Sequence, residues 1–359
     1  MQRGHRFSLL FWVVALSTVS LNAQAQLAYR LKPIIDPSSP NYVYPEDINN
    51  RGEVIGIAET FGTRGFHWKN GAFTDLQTQT GSTATAMVPS GINDRSIIVG
   101  NQDVDPRSFM IRDGQLLALQ ISTADGTPSV TAINNRNQIV GRGETSVFIW
   151  ERGTTTFLPR LPGSDEFATI ANGINDRGVV VGASGTADAR RPVIWKEGEI
   201  IEIDLPTDTT HAEGKAINNF DQVVGAAYGA PGVVKAFLWE SGTTKELAPP
   251  AGGIASDVWA LNDWGAVVGD STMSVDGAVH ATLWVAGRGH DLNTLVDANE
   301  PLRDQVVLVQ ALFINERGQI VAYGVHRTEG TRTLYLLTPT YRAPAISEGN
   351  WLQRHHFSE

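Results

Sequence analysis

Apolar and polar positions alternate in short runs along the chain, and one arrangement of them recurs seven times. Each copy has a strand-like segment that ends in Ile-Asn or Leu-Asn, then a polar turn, then a β-branched run ending in glycine, such as the Val-Val-Val-Gly of residues 179–182. The asparagines stand 41 to 44 residues apart, except for a last interval of 53. They are Asn49, Asn93, Asn134, Asn175, Asn218, Asn262 and Asn315. A period of this length is typical of the blades of a β-propeller.

The turn after each asparagine has a signature of its own. A type I turn closed by a left-handed residue favours Asn or Asp at its first position and a residue that tolerates positive φ at its fourth. The fourth positions are Gly52, Ser96, Asn137, Gly178, Asp221, Gly265 and Gly318. Six of these seven are Gly, Asn or Asp, and none is β-branched. The repeated asparagine is therefore predicted to have a structural role.

A third, aromatic-rich strand and a fourth strand complete each copy. The third strand ends at a tryptophan in five copies: Trp68, Trp150, Trp195, Trp239 and Trp284. In the first six copies a glycine follows three residues later, and an aliphatic residue follows five residues after that glycine, which predicts the fourth strand. Because the tryptophan recurs at one strand position, it indicates packing between blades rather than a ligand site.

The two ends of the repeat region complement each other. The seventh copy lacks a fourth strand, because after residues 334–339 the chain enters a polar tail, residues 341–359. A strand-like segment at residues 27–34 precedes the first copy and has no assigned partner. Pairing these segments would close a ring. We therefore predict an all-β fold, a seven-bladed β-propeller over residues 26–340, with four-stranded blades and an N-terminal strand paired with the last blade.

The repeated phrase resembles that of a known group of proteins. Ile-Asn-Asp/Asn-x-Gly-x-Val-Val-Gly, followed by Ala-Phe-Leu-Trp and then Gly and Leu, resembles the extracellular repeat proteins of the HAF family, named for His-Ala-Phe in the third strand. Lys235-Ala236-Phe237 and His280-Ala281-Thr282 are the nearest matches to that name. The resemblance covers roughly residues 27 to 340. It implies an exported bacterial repeat protein and brings no catalytic motif.

The first 25 residues have the pattern of a secretory signal peptide. Arg3 and Arg6 precede an apolar run at residues 7–16, and Ala23-Gln24-Ala25 fits an A-x-A cleavage site. Cleavage there would remove two arginines and no acid, and would take the net charge from -10 to -12. We expect an exported protein that is periplasmic, cell-surface or extracellular, with no later segment long enough to span a membrane.

Composition narrows the set of partners. The chain has 28 Lys and Arg against 38 Asp and Glu, so nucleic acid is not an expected partner. It has no cysteine, so an exported fold must be stabilised by core burial and topology rather than by disulfides. We expect a monomer whose ligand is a polysaccharide or another protein.

Local signatures of catalysis and metal binding are missing. The sequence has no H-E-x-x-H, G-x-S-x-G, P-loop or G-x-G-x-x-G motif. Residues 101–105 begin like a calcium loop, but Pro106 and Arg112 occupy positions where an EF-hand needs Gly and Glu. We therefore expect neither a metal site nor a cofactor.

Candidate ligand-binding residues lie in the loops between second and third strands, where the copies differ. Such loops form one face of a propeller and leave the strand ladders undisturbed. The candidates are Asp103, Asp105, Arg107, Asp188, Arg190, Arg191, Tyr228, Asp276, His280, His326 and Arg327. The favoured function is a non-enzymatic binding scaffold. Two alternatives stay open, a propeller-type glycan lyase or hydrolase that uses loop carboxylates or histidines on one face, and a purely structural surface component.

Overall fold

A computed structural model describes residues 27–38, 42–59, 62–123, 126–231, 233–275 and 277–340. The predicted signal peptide and the tail at residues 341–359 lie outside these ranges. Within them, no helix has the length and apolar character needed to cross a bilayer.

The described residues form seven four-stranded antiparallel sheets, which confirms the predicted seven-bladed propeller. Blade 1 contains β2 (Val43–Ile48), β3 (Val54–Glu59), β4 (Thr63–Lys69) and β5 (Ala72–Asp75), and blade 2 contains β6 (Met87–Ile92), β7 (Ile98–Gln102), β8 (Ser108–Arg112) and β9 (Gln115–Ala118). Blade 3 contains β10 (Ser129–Ile133), β11 (Ile139–Arg142), β12 (Val147–Glu151) and β13 (Thr154–Leu158), and blade 4 contains β14 (Ile170–Ile174), β15 (Val180–Thr186), β16 (Ala189–Lys196) and β17 (Glu199–Glu202). Blade 5 contains β18 (Thr209–Ile217), β19 (Val223–Gly229), β20 (Val234–Glu240) and β21 (Thr243–Glu246), and blade 6 contains β22 (Gly253–Leu261), β23 (Val267–Met273), β24 (Val279–Val285) and β25 (Arg288–Asp291). Blade 7 contains β26 (Val306–Ile314), β27 (Ile320–His326), β28 (Arg332–Pro339) and the N-terminal β1 (Tyr29–Ile34).

The N-terminal strand closes the ring as predicted. β1 pairs antiparallel with β28 along its whole length, from Tyr29 opposite Pro339 to Ile34 opposite Leu334. Tyr29 and Ile34 are buried, and their side chains belong to the apolar layers on the two sides of blade 7. The first and last parts of the ring are therefore joined by a full strand ladder and a shared core.

The insertion that lengthens the last repeat interval packs against this closing strand. A short 3-10 helix (Leu292–Leu295) leads into it, and Val296 then forms a parallel bridge with Tyr29. The N–H of Asp297 donates to the carbonyl of Tyr29 at 2.9 Å, and the N–H of Leu31 donates to Glu300 Oε2 at 3.2 Å. The insertion thus satisfies backbone groups on the outer edge of β1 that would otherwise be unpaired.

The glycine that ends each β-branched run is required by close packing. A Cβ at Gly56 would lie 2.0 Å from the carbonyl oxygen of Tyr44 and 2.7 Å from the ring of Phe66. Gly225 has the same surroundings in blade 5, where the carbonyl of Glu213 and the ring of Phe237 occupy the space. Glycine at this point therefore lets the first strand and the third-strand aromatic ring approach the second strand together.

The repeated aliphatic residue marks the end of the fourth strand rather than its middle. It follows the strand in every one of the first six blades except blade 3, where the half-buried Leu158 is the last residue of β13. In blades 1 and 6 it begins a short helix instead, α1 (Leu76–Thr80) and the 3-10 helix at Leu292. Apart from Leu158, these aliphatic residues are all buried between blades. Trp68, Trp195 and Trp284 are buried there too, and Trp150 and Trp239 are half-buried against the same layers. The tryptophans are packing residues, as predicted.

Truncating the closing strand is expected to destabilise the whole ring. Ile34 has no exposed surface, so Ile34→Ala should lower the free energy of unfolding by about 2–5 kcal/mol. Its neighbour Ile35 is 41% exposed, so Ile35→Ala should change that free energy by less than about 0.5 kcal/mol. Urea unfolding measures both, and equal effects from the two variants would mean that β1 does not hold the ring closed.

Candidate functional site

The two ends of the ring differ in their connections. The loops between second and third strands and between successive blades lie at one end, which we call the loop face. The tight turns after the repeat asparagines and between third and fourth strands lie at the other end, the turn face. The first strand of each blade runs from the loop face to the turn face and lines a central cavity.

Each repeat asparagine organises its turn through the oxygen of its side-chain amide. In blade 5, Asn218 Oδ1 accepts from the N–H groups of Phe220 and Gln222, both at 3.0 Å, and the Asn218 backbone carbonyl accepts from Asp221. All seven fourth-position residues have φ between +59° and +86°. The predicted turn with a left-handed closing residue is therefore confirmed in every blade.

The amide nitrogens of the same asparagines link the blades into a closed circle. Each Nδ2 donates to the backbone carbonyl of the asparagine in the next blade at 2.9 to 3.2 Å, and Asn315 donates to Asn49 to complete it. We call these seven residues the asparagine ring. They are 1% to 4% exposed, so each bond is shielded from water.

A second circle lies one residue further along and forms the turn-face end of the cavity. Its members, the floor ring, are Asn50, Asp94, Asn135, Asp176, Asn219, Asp263 and Glu316. Each side chain accepts from the backbone N–H of the preceding member at 2.7 to 3.1 Å, and Asn50 accepts from Glu316. Every blade is therefore joined to the next by two hydrogen bonds at the turn face, one of them in the buried asparagine ring.

A β-bulge in each first strand supplies the middle of the cavity. The register shifts at the third residue before the repeat asparagine in all seven blades. The bulged residues are Glu46, Ser90, Thr131, Asn172, Lys215, Trp259 and Leu312. All but Leu312 line the cavity, whose volume is about 510 Å³. Three of them, Ser90, Thr131 and Asn172, also donate to a carbonyl of the next blade at 2.9 to 3.0 Å.

Carboxyl groups dominate the charge of this cavity. Glu46 and Asp47 line it together with the floor-ring acids Asp94, Asp176, Asp263 and Glu316, against Lys215 as the one cationic lining residue among those described. Burial raises the pKa of Glu46 and that of Asp47 to about 7. Burial and the neighbouring acids, Asp263 first, raise the pKa of Glu316 to about 7. Nowhere in the described ranges are three acids or histidines arranged to hold a metal ion.

A series of polar contacts runs around the loop-face end of the cavity in blades 4 to 7, and we call it the mouth network. In its first half, Arg190 Nη1 donates to Glu213 Oε1 at 2.5 Å across blades 4 and 5. Lys215 Nζ donates to Asp257 Oδ1 at 2.6 Å across blades 5 and 6, and lies 3.7 Å from the ring centroid of Trp259. Both cations are thus paired with a carboxylate of the next blade.

The second half of the mouth network continues from Trp259 to blade 7. Trp259 Nε1 donates to Asp270 Oδ1 at 2.9 Å, and Gln310 Nε2 donates to the same oxygen at 3.3 Å. Gln310 Oε1 accepts from Arg332 Nη2 at 3.1 Å, and the Arg332 guanidinium stacks on Tyr323 at 3.7 Å. Burial, with the nearby Asp257, raises the pKa of Asp270. Four blades are therefore connected through their side chains around half of the mouth.

Two of the sequence-predicted residues belong to this region. Arg190 is a member of the network, and Tyr228 lies beside it, stacked on His211 at 5.2 Å between ring centroids. Burial, together with the carboxylates of Asp257 and Glu213, raises the pKa of Tyr228 to about 12. The structure therefore brings Arg190 and Tyr228 together with acids from two further strands.

The other predicted residues are placed elsewhere. Asp103 accepts from the N–H and hydroxyl of Thr85, and so fastens a loop between blades. Asp105 and Arg107 form an exposed pair at 4.0 Å. Arg191 pairs with Glu202 at the end of the fourth strand of blade 4. His280 Nδ1 lies 2.8 Å from Oδ2 of Asp291, which ends the fourth strand of blade 6. The remaining described candidates are Asp188 and Arg327, which are exposed, and His326, which is half-buried beside Thr328. Asp276 lies outside the described residues.

The sequence prediction missed the strand-borne members of the network. Glu213, Lys215, Asp257 and Gln310 lie within first strands, and Asp270 within a second strand. The signal that could have found them is their offset, since Glu213, Asp257 and Gln310 are five residues before their repeat asparagines. At that position each of these residues bonds to a side chain of the preceding blade.

Exposed apolar side chains are concentrated at the loop face. Of the thirteen large apolar residues whose side chains are exposed in the described ranges, seven lie at the loop-face ends of strands or in the loops there. They are Ile35, Tyr42, Tyr44, Phe167, Ile254, Val275 and Val279. The turn face has three, Phe220, Trp264 and Val285. The loop face therefore carries most of the exposed apolar side chains as well as the mouth network.

Comparison with known proteins supports the fold. No family model matches the chain, and no curated protein sequence matches it. Among solved structures, the chain is similar to YCF48 from Cyanidioschyzon merolae, with 12% identity, a TM-score of 0.54, and coverage of 86% of this chain and 98% of that one. It is similar to YCF48 bound to a D1 peptide at 12% identity and a TM-score of 0.53, covering 89% and 100%. A gluconolactonase from Xanthomonas campestris matches at 13% identity and a TM-score of 0.42, covering 87% and 90%.

Breaking the asparagine ring is expected to destabilise the propeller. In Asn218→Asp the donor to the Asn262 carbonyl is lost, and a carboxylate faces that carbonyl and Gln222 Oε1. The free energy of unfolding should fall by about 2–3 kcal/mol, since a buried acceptor is left unpaired. Chemical denaturation measures it, with Asn70→Asp on an exposed left-handed turn as the matched control. A loss no larger than that of the control would show that the ring adds no stability.

Because the cavity acids have raised pKa values, we expect the free energy of unfolding to decrease as the pH rises from about 5 to 8. The folded pKa of Glu316, about 7, is above the ordinary value of 4.5, so the folded state binds more protons than the unfolded state in this interval. Stability from this group is fully present below pH 4.5 and is lost as the pH rises through 7. Glu316→Gln keeps an acceptor for Asp263, and should reduce the loss between pH 5 and 8 by on the order of 1–3 kcal/mol.

Thermal and urea unfolding at both pH values tests this, with the exposed Glu329→Gln as control. Burial lowers the pKa of His67, which acts in the opposite direction below pH 6.5, so the wild type and each variant are compared at the same two pH values. A pH dependence of Glu316→Gln identical to that of the wild type would contradict the assignment.

Proposed function

We propose that the protein is an exported binding scaffold of the HAF type that holds a polypeptide ligand on its loop face and catalyses no reaction on it. The observation that carries the proposal is the loop face, which presents both the mouth network and seven exposed large apolar side chains. Aromatic side chains and arginines are enriched where proteins bind partners, and they commonly supply the anchoring contacts of such surfaces.

The cavity charge favours a polypeptide over an acidic polysaccharide. Six carboxyl groups and one ammonium line the cavity, and the ammonium of Lys215 is already paired with Asp257. A polysaccharide with an acid on each repeat would place several negative charges over this acidic cavity, whereas a polypeptide can place apolar, cationic and amide groups there and confine any single carboxylate to the rim outside the cavity lining. The YCF48 structure with a D1 peptide is a propeller of similar fold with a peptide bound, and its ligand suggests a class to test here.

The glycan hydrolase alternative has one observation in its favour. Asp257 and Asp270 face each other across β22 and β23, which places two carboxyl groups side by side in the mouth. Asp257 Oδ1, however, accepts a hydrogen bond from Lys215, and Asp270 Oδ1 accepts from both Trp259 and Gln310. Because these contacts use the carboxylates to link blades, a binding role fits the pair better.

Panning a displayed library of random twelve-residue peptides against the full-length protein tests the proposal. Tyr44 lies at the loop face and is 39% exposed, and Trp264 lies at the turn face and is 43% exposed. Tyr44→Ala should weaken the selected peptides about 5- to 30-fold, the usual effect of removing an aromatic anchor. Trp264→Ala should leave their affinity within about twofold, since it truncates a similar side chain on the opposite face.

Failure to select any peptide with the folded wild type would refute a polypeptide ligand. Equal losses from the two variants would mean that binding does not involve the loop face. Cleavage of a polysaccharide by the wild type, abolished by Asp270→Asn, would instead support the hydrolase.

A further inference from the structure

Arg332 is the cation at the mouth that differs from its neighbours. It is the first residue of β28, at the loop-face end of blade 7, and its side chain is exposed. Arg190 and Lys215 each pair with a carboxylate of the next blade, whereas Arg332 bonds to a neutral amide, Gln310 Oε1, at 3.1 Å. Among the described residues, no Asp or Glu oxygen lies within ion-pair distance of its guanidinium.

The guanidinium is held in place by groups that are themselves fixed. It stacks on Tyr323, which is 6% exposed and whose hydroxyl donates to the Val43 carbonyl of blade 1 at 3.0 Å. Gln310 is oriented in turn by its bond to Asp270. Since stacking and one hydrogen bond already restrict the side chain, a ligand would lose little further entropy on binding it.

The free N–H donors of this guanidinium determine which chemical group of a ligand it can bind. One Nη2 hydrogen is used by Gln310, and the remaining N–H groups form a planar fork that matches the two oxygens of a carboxylate. Tyr44, 39% exposed at the loop-face end of blade 1, follows Val43, whose carbonyl accepts from the hydroxyl of the same Tyr323 that carries the guanidinium, so it offers an apolar surface on that side. Glu46 is the bulged residue two positions further along β2, and it makes no ion pair with Arg332.

We infer that the polypeptide ligand presents a carboxylate, either an acidic side chain or its own C-terminus, to the Arg332 fork between blades 7 and 1. The inference rests on the proposed function, because it names the group by which a polypeptide is recognised on that face. It assigns to Arg332 a role in specificity that none of the paired cations of the mouth can take.

Two synthetic octapeptide libraries distinguish the sources of the carboxylate. One has amidated C-termini and contains Asp and Glu, and the other has free C-termini and lacks both residues. The full-length wild type should enrich acidic residues at one position of the first library, or members of the second. Arg332→Leu should reduce that enrichment about tenfold, the range of a lost charge-assisted hydrogen bond, and Arg332→Lys should restore it only in part.

Arg317→Leu is the matched control, because Arg317 is an exposed arginine of the same blade on the turn face. It should retain full enrichment, and thermal unfolding should show that all three variants are folded. Enrichment of peptides without a carboxylate, or enrichment that survives Arg332→Leu, would overturn the inference while leaving a polypeptide ligand in place. No enrichment from either library would remove the proposed function as well.

Discussion

The hydrogen bond from one repeat asparagine to the backbone of the next is the interaction on which the rest of the molecule depends. The oxygen of the side-chain amide satisfies two turn N–H groups within a blade, and its nitrogen joins that blade to the following one. One side chain thereby fixes both the local turn and the angular position of the neighbour. Since the last of these bonds runs from Asn315 to Asn49, the asparagine ring is complete only if blade 7 meets blade 1. The pairing of β1 with β28, supported by the insertion on the edge of β1, holds these blades together.

Because the asparagine ring and the floor ring fix the blades at the turn face, the residues at the other end of the cavity can differ between blades. The bulge in each first strand turns one residue toward the axis, and these residues range from serine to tryptophan without disturbing the register that follows. Four of the polar residues at this depth find a partner in the next blade, as Asn172 does at Gly214; the four are Ser90, Thr131, Asn172 and Lys215. The same arrangement that builds the fold therefore supplies a variable polar surface.

The fold is predictable from the sequence because the repeat carries both its turn chemistry and its strand lengths, and because an unpaired strand at each end implies the closure. The site is predictable only in part. The loops are the expected source of chemistry, and of the residues chosen there Arg190 and Tyr228 lie at the mouth network, whereas Glu213 and Asp257 of the same network are overlooked. Alternation alone cannot separate a side chain that faces the cavity from one that faces the next blade, since a bulge shifts the alternation by one residue. The hydrogen-bond register shows the position of the bulge, and the constant offset of five residues from the repeat asparagine becomes informative once that position is known.

The floor ring illustrates a constraint that the number of blades imposes on charge. Amides and carboxylates alternate around it from Asn50 to Asp263, so that Asp94 and Asp176 each lie between two amides. Strict alternation cannot close over seven positions, because an odd ring must contain one pair of like neighbours. That pair is Asp263 and Glu316, the junction where the longer glutamate replaces an asparagine or aspartate and accepts the Asp263 N–H with both oxygens. Burial is the first cause of the raised pKa of Glu316, and the odd number of blades adds the second. At the one place where two acids must be neighbours, their repulsion favours keeping a proton on one of them.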